Sequence, residues 1–186
     1  MPVWGWVLIA IAVVAIAVAI WFTYDRRRSR DLQHRFGPEY DRAVQEANGR
    51  RQGEADLRGR RKRVEHLDLR PLSPSARRDF TDRWQRVQAH FVDDPRDAFW
   101  QADGLVSEVM RERGYPMDEF DQRADDISVD HPDLVEHYRE AHAIAVSEPQ
   151  DGPRDGADTE ELRRGMVHYR SLFAELLAPE ERSRVG

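Results

Sequence analysis

The densest run of titratable groups in the chain, DDISVDHPDLVEHYREAH from Asp125 to His142, sets three imidazoles among carboxylates. General acid–base catalysis and metal coordination both draw on these residue types. A polar pocket built from Asp130, His131, His137 and His142 would suit a membrane-anchored enzyme or small-ligand sensor. Asp133 and His137, four residues apart, would share a helix face and offer two metal ligands, with His131 or His142 nearby. Against this, there is no His-Glu-x-x-His motif and no matching second ligand pair. The sequence therefore assigns no catalytic, cofactor-binding or metal-binding residue.

Helix punctuation explains much of the same run. VDDP (Val92 to Pro95) and VDHP (Val129 to Pro132) each precede a segment of helical period. Aspartate accepts hydrogen bonds from the free N–H groups of a first turn, and proline lacks the N–H that would be left over. Asp93 or Asp94, and Asp130, are expected to start helices. The tripeptide HYR occurs at His137 to Arg139 and at His168 to Arg170. Both tyrosines fall on apolar stripes, so the two helices are expected to be neighbours joined by a buried polar network.

No serine nucleophile elbow and no glycine-rich phosphate loop is present, and the chain has no cysteine for a disulfide, thiol nucleophile or thiolate metal site. A helical protein-interaction or scaffold module is the reading that remains. Its acidic distal part and the stretch from GYP (Gly114 to Pro116) to VDHP are the expected contact surface for an unknown protein partner.

These residues must be positioned by a chain that divides sharply in polarity. Residues 3–22, VWGWVLIAIAVVAIAVAIWF, carry no charge. At about 1.5 Å rise per residue they span about 30 Å, the thickness of a bilayer's hydrocarbon core. Trp4 and Trp6 mark one interface and Trp21, Phe22 and Tyr24 the other. No Lys or Arg precedes the run, and it exceeds the h-region of about 7–15 residues typical of a cleaved signal, so a retained anchor over residues 1–24 is expected. Arg26, Arg27, Arg28 and Arg30 follow at once, in a basic juxtamembrane linker over residues 25–37 that would meet anionic headgroups. By the positive-inside rule the N-terminus is expected outside the cell membrane, a bacterial one, and the C-terminal domain in the cytoplasm.

The charge balance continues this asymmetry. Residues 25–63 hold 13 basic and 7 acidic side chains, whereas 64–186 hold 16 basic and 28 acidic. RGRRKR, Arg58 to Arg63, is a basic run, but in an acidic domain without a nucleic-acid reading motif it predicts a solvated helix face or pairing with the acidic half.

Apolar residues recur at three- and four-residue steps throughout, which predicts an all-α fold: one transmembrane helix, then a cytoplasmic bundle of about five helices over residues 38–178, and a disordered tail at 179–186. A long helix is expected from Pro38 to about Leu67, with an interruption at Gly49 or Gly53. The next begins at Ser73 and carries the stripe Phe80, Trp84, Val87 and Phe91. A third aligns Phe99, Ala102, Val106, Val109 and Met110 before Gly114, and a short piece covers Glu119 to Ala124. The helix opened by VDHP carries Leu134, Tyr138, Ala141 and Ala145, and the last runs from about Thr159 to Ala178 on Leu162, Met166, Tyr169, Phe173 and Leu176. An exposed loop, Ser147 to Thr159, separates these two.

The phrases FGPEYDRAV, FVDDP, RGYP, DISVDHP and HYR together resemble a bacterial family of single-span membrane proteins of unassigned function. The resemblance covers about Phe36 to Leu177. It implies the anchor-plus-helical-domain layout, and no activity or site residue.

Overall fold

The computed structural model describes residues 3–147 and 158–178, with the side chains of Val3, residues 5–11, Val14, residues 17–19, Trp21 and Asp25 outside that description. Among the described residues there are eight helices and no strand: α1 (Val3–Phe36), α2 (Pro38–Glu46), α3 (Arg50–Val64), α4 (Pro74–His90), α5 (Pro95–Arg113), α6 (Phe120–Asp130), α7 (Val135–Ser147) and α8 (Thr159–Leu177). The all-α expectation holds, with seven helices after α1 among the described residues where about five were expected. Among the described residues no helix is long and apolar enough to cross a membrane, and the expected span at 3–22 falls largely on side chains outside the description. The expected tail and most of the Ser147–Thr159 loop also lie outside it.

The chain forms two compact units, residues 1–58 and 59–186. In the first, the basic stretch expected as a linker is helical: α1 runs on to Phe36, because Ser29, Leu32 and Phe36 share one face at steps of three and four and are all buried. Gly37, at φ 47°, and Pro38 break the helix and start α2. The long helix expected from Pro38 breaks where Asn48 takes a left-handed φ of 52°, and Gly49 follows it.

Gly53 does not interrupt α3. Its bare Cα lets the helix press on α2, where a Cβ would lie 2.7 Å from Val44 Cα. Gly59, further along α3, has open space around it. Gly59→Ala is therefore expected to stabilise by about 0.5–1 kcal/mol through helix propensity, while Gly53→Ala destabilises because rigid backbone must move. Paired thermal melts check the opposite signs, and equal shifts would contradict the close approach.

The buried carboxylate of Glu54 holds this unit together. It accepts hydrogen bonds from Ser29 Oγ at 2.6 Å and Tyr40 Oη at 2.9 Å, and pairs with Arg50 at 3.1 Å and Arg58 at 3.7 Å. Burial pushes its carboxyl up, but the two hydroxyl donors and two guanidinium groups win and hold it below the usual glutamate range.

The second unit is built around α5. Ser73 caps α4 with its hydroxyl on Ala76 N, and Asp94 caps α5 with its carboxylate on Asp97 N, as expected from the sequence. Gly114 ends α5 at φ 94°. The expected stripes bury almost completely: Phe80, Trp84 and Val87 from α4, Phe99, Ala102, Val106, Val109 and Met110 from α5, and Leu162, Met166, Tyr169, Phe173 and Leu176 from α8. Trp84 stacks on Phe173 with ring centroids 4.6 Å apart, and Phe99 tilts against Tyr169 at 5.4 Å.

The reading of VDHP as a helix start is corrected. Asp130 is the last residue of α6 and exposed, His131 caps that helix, and a turn carries Asp133 before α7 begins at Val135. The reason is burial: Ile127 and Val129 are apolar enough to draw the residues ahead of the proline into a helix of their own, extending the short piece expected at Glu119 to Ala124. Within the expected contact stretch from GYP to VDHP, Tyr115, Ala124, Asp126, Ile127, Ser128 and Val129 are buried, while Asp118, Glu119, Asp121, Gln122 and Asp130 are exposed.

Candidate functional site

The four residues expected to line one pocket turn to different partners. Asp130 is exposed at the end of α6. His131 Nδ1 lies 3.4 Å from Glu175 on α8; burial and the Arg113 guanidinium hold this imidazole below its usual pKa, against the pull of Glu175 and Asp130. His142 stacks on Phe120, with centroids 3.5 Å apart and planes at 11°, and burial lowers its pKa. Of the four, only His137 belongs to a cluster of three potential metal ligands among the described residues.

The two HYR segments meet, as expected. Helices α7 and α8 pack antiparallel, with Ile144 beside the Gly165 position and His137 beside His168. Tyr169 is fully buried and donates its hydroxyl to Asp103 Oδ1 at 2.5 Å. Tyr138 accepts from Arg123 Nε at 3.1 Å, and Arg123 also donates to the Met117 carbonyl at 2.9 Å. Burial raises the pKa of both phenols, and Asp103 adds to this, so they remain protonated donors and acceptors. The residues directly after His137 and His168 thus tie α7 to α6 and α8 to α5, rather than to each other.

On the outer side of the same helix pair, His137 Nδ1 and His168 Nδ1 are 2.9 Å apart. Glu140, one turn beyond His137, places Oε2 3.2 Å from His168 Nε2 and 3.8 Å from His137 Nδ1. Burial, His137 and Arg164 hold His168 below its usual pKa, although Glu140 opposes them. The cluster is half open to solvent, with side-chain exposures of 40% for His137, 48% for Glu140 and 21% for His168. Sequence spacing missed Glu140 and did not treat His168 as a ligand. The available signal was the repeated HYR, which places a histidine immediately before each packed tyrosine.

RGRRKR is spent largely inside the fold. Arg60, itself buried, contacts Asp125 at 2.7 Å, and Arg63 donates to Asp126 Oδ1 at 2.9 Å. Asp126 is fully buried, and desolvation raises its pKa despite Arg63 and Arg60. Arg60 and Arg63 thus pair with the acidic half, while Lys62 of the same run is exposed.

Two hollows lie elsewhere on this unit. One of about 450 Å³ between α4 and α5 is lined by Arg83, Arg86, Val87 and Leu105 and crossed by the Arg83–Glu108 ion pair at 2.7 Å. The other, of about 150 Å³, has Phe91, Met166 and Val167 as an apolar floor, with Arg163 and Arg170 beside it. Comparison with protein-family models, with curated proteins and with solved structures finds no match to this chain.

Proposed function

We propose that the chain is a membrane-tethered helical interaction module, anchored through residues 3–22 with its helical units on the cytoplasmic side. The observation that carries this reading is the contrast within α1. Its described apolar side chains Trp4, Val13, Ile16, Ile20 and Phe22 are 81%, 60%, 59%, 62% and 49% exposed, while Leu32 and Phe36 further along are buried. Described apolar side chains left uncovered in a chain that buries its other stripes call for lipid or a partner, and a run of 20 uncharged residues matches lipid. The guanidinium of Arg26 sits 4.3 Å from the Phe22 ring centroid, an arrangement suited to a headgroup boundary.

The interaction half of the reading is supported by the apolar floor at Phe91, Met166 and Val167 between basic side chains, which complements an acidic amphipathic segment. Val167 is 45% exposed there. That His131, His137 and His142 turn to different partners supports this reading over a single-pocket sensor.

The test has two arms. The full chain is expected to stay with membranes through alkaline carbonate extraction, and a C-terminal alkaline phosphatase fusion is expected to be inactive. A soluble or periplasmically active fusion would end the anchor reading. A photo-crosslinking residue at Val167 should give one discrete adduct in native membranes while the same residue at Glu65 gives none; no adduct at Val167 would remove the interaction half.

A further inference from the structure

We propose that His137, Glu140 and His168 form a binding site for a divalent transition-metal ion, with zinc as the reference case, shared between α7 and α8. The inference is independent of membrane anchoring. Two imidazoles and a carboxylate are a donor set suited to borderline ions such as zinc and cobalt rather than to calcium or magnesium, which favour oxygen ligands alone.

The geometry is close to what coordination needs. One ligand atom from each of the three residues falls within 4.8 Å of the others. Ligands held tetrahedrally at about 2.0–2.1 Å from zinc are about 3.3 Å from one another. The separations found here, 2.9 Å between the two Nδ1 atoms and 3.8 Å from His137 Nδ1 to Glu140 Oε2, lie on either side of that value. His168 meets His137 through Nδ1 and Glu140 through Nε2, at 3.2 Å, so holding one ion requires rotation of a ring or of the carboxylate. His137 and Glu140 are one turn apart on α7, and His168 comes from α8, which packs against it; the Tyr138 hydroxyl ties α7 to Arg123 of α6 and the Tyr169 hydroxyl ties α8 to Asp103 of α5.

Direct pairing accounts for the same contacts in the absence of metal, with one ring donating to the other and Glu140 accepting. What that pairing does not need is convergence of all three groups at one partly open point. The open side admits an ion from solvent, and three protein ligands leave a fourth position for water or a small anion.

Untagged full-length protein in detergent, stripped of metal by a chelator, is to be titrated with zinc and, separately, with cobalt(II). One equivalent per chain is expected. The cobalt form should show the strong visible absorption of a four-coordinate site, and zinc should raise the thermal midpoint. His137→Ala, His168→Ala and Glu140→Gln should each weaken zinc binding by roughly tenfold or more. His90→Ala, which removes the separate pair with Asp97 at 2.8 Å, should leave binding unchanged. Glu140→Gln alters only a half-exposed side chain, so it remains decisive if a histidine variant fails to fold. Absence of a stoichiometric site, or binding unaffected by Glu140→Gln and His137→Ala, overturns the proposal.

Discussion

Phe99→Ala is expected to lower the stability of the 59–186 unit by about 3–5 kcal/mol, the usual range for removing a fully buried phenyl ring. Phe99 has no solvent exposure and lies where α5 meets α8, against Tyr169 at 5.4 Å and Trp100 at 6.2 Å between ring centroids. Its position is also fixed by Gly165 across the interface, where a Cβ would come within 2.4 Å of Phe99 Cε2. The ring and the missing side chain are two halves of one packing solution. Gly165→Ala should therefore destabilise despite its better helix propensity, by about 1–3 kcal/mol for overpacking. Combining it with Phe99→Leu should recover part of the loss. Denaturant unfolding followed by Trp84 fluorescence provides the readout, since that indole stacks on Phe173 in the same core. A double-mutant cycle with no favourable coupling would show that the contact at Gly165 is not the constraint.

The second large effect belongs to Glu54. Glu54→Ala leaves the Ser29 and Tyr40 hydroxyls without their acceptor and removes the countercharge of Arg50 and Arg58, at an expected cost of about 2–4 kcal/mol to the 1–58 unit. The wild-type contribution also depends on pH, with a definite sign. In the unfolded chain a glutamate titrates near about 4.3. In the folded unit burial raises the value, but the hydroxyl donors and the arginines outweigh it, so the net shift is downward. The folded state thus binds the proton less tightly than the unfolded one. The stabilisation is complete above the unfolded pKa and is lost as pH falls through the folded value. Glu54→Gln should abolish this acid-limb contribution while preserving side-chain shape. Hydrogen exchange in α2 and α3 measures it locally, and a variant with the same protection and the same acid dependence as wild type would contradict the assignment.

Local signals in the sequence were enough for much of this architecture. The three- and four-residue steps of Phe80, Trp84 and Val87, of Phe99 to Met110, and of Leu162 to Leu176 define apolar faces that have one way to be satisfied, against one another. Ser73, Asp94 and Gly114 mark helix ends through the chemistry of their own first or last turn. Such features depend on residues within one or two turns, and so they can be read without knowing the fold.

Where the competing outcomes were local and tertiary, the tertiary one prevailed. Residues 25–36 looked like a linker because their arginines dominate the composition, yet Ser29, Leu32 and Phe36 give the helix a buried side. VDHP has the composition of a helix start, but Ile127 and Val129 have a core to enter and pull the preceding residues into α6. RGRRKR carried no sign of which carboxylates would neutralise it, because Asp125 and Asp126 are more than sixty residues away along the chain.

The candidate site divides along the same line. The repeated HYR gave the tyrosines and their helix pairing, since each tyrosine completes an apolar stripe on its own helix. It did not give the meeting of His137 with His168 or the return of Glu140 toward both, because a contact across 31 residues of chain depends on the relative rotation of two helices. That rotation is set by the packing of Phe99, Tyr138 and Tyr169 in the core, an outcome of the whole side-chain arrangement that no single segment encodes.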